Sequence, residues 1–163
     1  MSEKKSSKLN LIIAPHPDDE IIGCYEVLKQ KENILIIYSP ETEKIRREET
    51  MKLREEIENV KTQLFLNTIP SSFLNYNTTY YFPDPVSEVH PLHRQYGNMG
   101  ESMARSGYDV IFYTTLMNVP YIHEVKDSKG KEELLNKVYP TQKSLWEYEK
   151  KFILFEGRIK WIF

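Results

Sequence analysis

Cysteine is nearly missing from this chain. One residue among 163, Cys24, leaves no partner for an intrachain disulfide. A reducing compartment, the cytoplasm, is the expected location. No apolar run approaches the roughly 20 residues that a membrane-spanning helix requires. The opening MSEKKSSK has no apolar core of the kind a signal peptide carries. An excess of one charge is missing too: 22 Lys and Arg face 24 Asp and Glu, a net of −2. No nucleic-acid partner is therefore expected. There is no internal repeat and no linker, and the length suits one domain over residues 1–163, with 1–8 expected as a disordered lead-in.

What is present is an alternation of apolar and helical patterns. Leu9 to Ala14 and Asn33 to Ser39 read as buried parallel strands, Thr62 to Asn67 as a third, and Tyr80 to Pro83 and Tyr108 to Met117 as two more. Pro17 to Lys31 is predicted as a helix with Pro17 at its first position. Glu41 to Val60 is predicted as a second helix, with Ile45, Leu53, Ile57 and Val60 as its stripe. Glu49 falls on that stripe, and a carboxylate on a core face needs a partner. Arg46, three residues earlier, can supply one. Residues 98–107 are predicted as a short helix and 126–133 as a mobile loop. Residues 143–163 carry an amphipathic helical stripe, a core face or a surface for a homo-oligomer. The expected fold is α/β, a three-layer Rossmann-like sandwich with a mostly parallel sheet.

The chemistry concentrates where the first strand ends. Residues 15–20 read PHPDDE, with one imidazole and three carboxylates in the five residues 16–20. In open α/β sheets ligands gather at the carboxyl ends of strands. His16 and Asp19 can reach one point, and imidazole nitrogen and carboxylate oxygen both ligate zinc. A catalytic zinc takes three protein ligands, and the remaining histidine pair, His90 and His93, also follows an expected strand. Such a metal activates water, and Asp18 or Glu20 can accept the proton. His123 stands alone in an expected loop. Plainer readings remain open: a capped helix start for residues 16–20, surface histidines at 90 and 93, and a structural ion pair for Arg46 and Glu49.

The His-Pro-Asp-Asp-Glu motif after a short strand, followed downstream by His-x-x-His, resembles the LmbE-like/PIG-L deacetylases. The resemblance implies a zinc-dependent deacetylase acting on an N-acetylated sugar or related small molecule. Iron or another divalent cation also suits the ligand set. It implies His16, Asp19 and His93 as metal ligands, Asp18 as general base, and His90 as electrostatic or acid partner. It implies Arg46 and Glu49, an Arg-x-x-Glu pair, as substrate-binding residues. Leu92 departs from the family's usual aspartate, and the stretch before His90 is trimmed. Two other functions fit the same residues: metal-dependent hydrolysis of a phosphoester, and a non-catalytic metal-binding descendant.

Overall fold

The structure, a computed structural model, describes residues 8–162. All but one residue of the expected lead-in, 1–8, therefore lie outside the described residues. Five parallel strands form most of a seven-stranded sheet: β1 (Leu9–Ala14), β2 (Asn33–Tyr38), β3 (Val60–Phe65), β4 (Thr79–Pro83) and β5 (Asp109–Tyr113). β6 (Ile122–Glu124) and β7 (Phe155–Ile159) complete it in antiparallel pairing, giving the order β3-β2-β1-β4-β5-β7-β6.

Alternation along the strands sorts the core into two layers. Ile12, Ala14, Ile34, Ile36 and Tyr38 pack with helices α1 (Asp19–Leu28), α2 (Lys44–Glu56) and α4 (Ser128–Val138). Leu11, Ile13, Leu35 and Ile37 face the other way, toward Tyr96 and Met99 of α3 (Pro91–Arg105). Both faces are thus covered, which is why β1, β2 and β4 are largely apolar.

The chain runs outward from β1 through β2 to β3, then crosses back to lay β4 on the other side of β1. The strand order reverses between β1 and β4, and such a switch point opens a crevice at the strands' carboxyl ends. The residues after β1 and after β4 meet there.

Several elements differ from the sequence expectation. Pro17 precedes the first helix, because a turn from the His16 carbonyl to the Asp19 N–H at 3.1 Å delays its start. α2 ends at Glu56, Ile45 is 54% exposed, and Val60 belongs to β3. The short helix expected at 98–107 begins much earlier, since Pro91 fits a first helical position and the His90 side chain caps it.

Residues 126–133, expected as a mobile loop, instead open α4. Asp127 caps this helix by accepting from the Gly130 N–H at 3.1 Å. Its Leu134, Leu135 and Val138 are buried, and so is Lys131, 3.1 Å from Glu156.

The helical stripe expected over 143–163 breaks into α5 (Lys143–Tyr148), α6 (Lys151–Leu154) and β7. The outer edge of β5 needs a hydrogen-bonding partner, and pairing with it overrides the local helical period. Among the described residues no helix is long and apolar enough to cross a membrane.

Candidate metal centre

Three side chains from two distant segments converge in the crevice. Asp19 Oδ2 lies 3.1 Å from His93 Nε2 and 3.5 Å from His16 Nδ1. The two ring nitrogens are themselves 3.1 Å apart. His16 and Asp19 come from the turn after β1, whereas His93 stands on the first turn of α3, carried there by the segment after β4.

Gly97, one turn further along α3, lets that helix approach. A Cβ at this position would sit 2.7 Å from the Pro83 carbonyl oxygen and 2.9 Å from Pro85 Cβ.

The donor set fits a divalent cation. Ligands about 2.1 Å from a tetrahedral ion stand about 3.4 Å apart, close to the spacing found here. Asp19 and His93 favour each other's ionised forms. Burial would lower the His93 pKa, but the Asp19 and Glu88 carboxylates outweigh it and raise it to about 10. Burial would raise that of Asp19, yet the neighbouring imidazoles hold it well below the carboxylate range.

The far nitrogen of His93, Nδ1, is buried without a hydrogen-bond partner among the described residues, and Glu88 Oε2 lies 3.7 Å from it. Glu88 is itself held by Thr115, whose N–H and Oγ1 donate to Oε1 at 2.7 and 2.8 Å. A carboxylate behind a ligating imidazole orients the ring and raises its basicity.

Asp18 is 5% exposed and has a φ of 103°, a left-handed conformation that costs a non-glycine residue on the order of 1 kcal/mol or more. It is held from both sides. Its N–H donates to Glu20 Oε2 at 3.2 Å, and Arg46 donates to the preceding Pro17 carbonyl. Arg46 also reaches Asp18 Oδ2 at 3.4 Å. Burial, followed by the Asp19 charge, raises the Asp18 pKa well above the usual range, with Arg46 opposing. Burial lifts Glu20 to about 8, and Tyr139 donates to its Oε1.

The expected pairing of Arg46 with Glu49 is not formed, because Arg46 turns inward to Pro17 and Asp18. Glu49 is buried, as its place on the stripe implied, but accepts from Thr141 N–H at 3.2 Å and Oγ1 at 2.5 Å. It ties α2 to the turn after α4 and does not line the hollow beside His16. Arg46 does line that hollow, of about 360 Å3, with Ser39, Thr42, Glu41 and Gln142.

His90 stands at the rim. Its ring centroid is 4.8 Å from that of His16 and 5.3 Å from that of His93. Its Nδ1 accepts from the Leu92 N–H at 3.1 Å, so the neutral ring carries its hydrogen on Nε2. Burial, then the neighbouring imidazoles, lowers its pKa. His123 lies away from the centre on exposed β6, 2.5 Å from Glu26 Oε1.

Glu88 and Tyr139 escaped the sequence reading. Glu88 sits two residues before His90, a local signal, but only the fold turns its side chain onto His93. Tyr139 is 119 residues from Glu20, and no sequence spacing joins them. Compared with family models, curated proteins and solved structures, the chain matches none.

Proposed function

We propose that this protein is a metal-dependent hydrolase of the LmbE-like/PIG-L kind, releasing an acyl group, acetyl in the simplest case, from the amine of a sugar or related small molecule. The observation that carries this reading is the convergence of His16, Asp19 and His93 on one point, with buried Asp18 next to Asp19 in the chain. His16, Asp19 and His93 would hold the cation, zinc by donor type, with iron suited as well. A divalent cation bound there lowers the pKa of a ligated water from about 15.7 toward 7 and polarises the amide carbonyl.

The chain's own groups then divide the work. Asp18 accepts a proton from the attacking water. Arg46 holds the Asp18 carboxylate and the strained peptide before it. His90, with hydrogen on Nε2, donates to the oxygen of the tetrahedral intermediate. The C–N bond breaks as a C–O bond to the water oxygen forms. The proton carried by Asp18 ends on the leaving nitrogen, giving a carboxylic acid and an amine. The polar hollow beside His16 and Arg46 receives the amine half.

The test combines elemental analysis of the purified protein with amine release from N-acetylglucosamine derivatives, with and without chelator. Stoichiometric metal and chelator-sensitive release are expected. Release indifferent to chelation would overturn the reading.

A further inference from the structure

The three converging side chains form a wall between two hollows of opposite character. His16 faces the polar one. Asp19 and His93 face a second, of about 200 Å3, whose other walls include Ile22, Val89, Leu116, Leu145 and Phe152. His90, Thr115 and Glu88 also line it, the last two already bonded to each other. Two of its aliphatic side chains remain in water: Val89 is 72% exposed and Leu145 40%. Apolar side chains left wet around a concavity beside a reactive centre mark a place where an apolar group is buried on binding.

An amide whose carbonyl sits at the wall has two halves. Arg46, Thr42 and Gln142 suit a polar amine half on the His16 side. The acyl half then extends into the aliphatic hollow. An acetyl group carries a single methyl beyond its carbonyl and would leave most of that space as water against hydrocarbon.

We infer that the preferred acyl group is a medium-length aliphatic chain, between butanoyl and octanoyl, seated against Ile22, Leu116, Leu145 and Phe152. This rests on the amide-hydrolase reading. The covalent step is unchanged: C–N breaks, C–O forms from water, and a free alkanoic acid leaves with the amine.

The experiment uses the full chain loaded with zinc. Amine release is measured for N-acetyl, N-butanoyl, N-hexanoyl and N-octanoyl glucosamine, and calorimetry gives the affinities of acetate and hexanoate. Each methylene buried contributes a factor of up to about four. kcat/KM for hexanoyl is expected at least about tenfold above acetyl, with hexanoate binding more tightly than acetate by a similar factor. Leu145→Glu, at a half-exposed position that need not disturb folding, is expected to lower the hexanoyl-to-acetyl ratio and the hexanoate affinity together. Acetyl cleavage with a flat or falling dependence on chain length overturns this inference and leaves the amide-hydrolase reading standing. No cleavage at any length, with zinc bound, overturns that reading and the inference with it, whatever the alkanoates do.

Discussion

Oε2 of Glu88 lies 3.7 Å from Nδ1 of His93, on the side of the imidazole away from its 3.1 Å contact with Asp19. The ring is thus set between two buried carboxylates, one beside the point of convergence and one behind it. Leu92, where the resemblance led us to look for an orienting aspartate, instead packs into the apolar layer under α3. The carboxylate beside the ring is that of Glu88 instead.

Glu88→Gln tests that arrangement. The amide oxygen can still accept from Thr115, so thermal stability should change little. Zinc affinity is expected to fall about 10- to 100-fold, as for other partners behind a ligating histidine. Competition against a chromophoric chelator measures it, and an unchanged affinity would detach Glu88 from the centre.

Metal loading should stabilise the fold. At free zinc 100 times the dissociation constant, the gain is about 2.7 kcal/mol, read from urea unfolding with and without metal. His93→Ala is expected to abolish both this gain and the bound stoichiometry. A variant that still carries one zinc per chain would remove His93 from the ligand set.

Asp18→Asn separates holding the metal from using it. Asparagine tolerates the left-handed backbone at this position. Metal content is expected to persist while kcat drops by about 10²-fold or more, the usual worth of a positioned base. Turnover at the original rate would rule Asp18 out as the proton acceptor.

Gly97→Ala should act at a distance. The new methyl meets the Pro83 carbonyl and Pro85, pushing α3 off the end of β4. A loss of about 1–3 kcal/mol is expected from overpacking. Zinc binding should weaken in parallel, since α3 carries His93. Stability and affinity measured on the same preparation check the coupling.

Asp127 gives a pH-dependent prediction away from the centre. The Tyr25 hydroxyl, at 2.6 Å, and the Gly130 N–H hold its carboxyl below the usual value of 3.8. The folded pKa lies below the unfolded one. Its contribution is therefore present above the unfolded value and lost as pH falls through the folded one. Asp127→Ala should cost about 1 kcal/mol at neutral pH. The difference should shrink in acid below about pH 4, and urea titrations at neutral and acidic pH would reveal a constant difference if the carboxylate were irrelevant.

Much of the strand framework was readable from the chain because buried parallel strands are largely apolar. β1, β2 and β4 fall within a residue of their expected positions. The burial of Glu49 was readable too, from its place on a helical stripe, although its partner was not. Arg46 was the nearest cation along the helix, but an arginine side chain reaches as easily across to the next loop. α4 was obscured by Lys129, Gly130 and Lys131, which dilute its apolar signal. Lys131 is nonetheless buried, because Glu156 and the carbonyls of Ile22 and Phe155 receive its ammonium group.

The sequence by itself determined the local chemistry: a buried strand ending in His16, Asp18, Asp19 and Glu20, a second histidine pair after a later strand, and the alternation that demands a covered sheet. These follow from composition and period, which act over a few residues. Only the tertiary structure decided that β4 lies beside β1, that His93 meets Asp19 there, that Glu88 stands behind it, and that the last segment gives up its helical period to close the sheet against β5. Those outcomes depend on which distant groups compete for the same space and the same hydrogen bonds, and that competition has no signature in the spacing of residues along the chain.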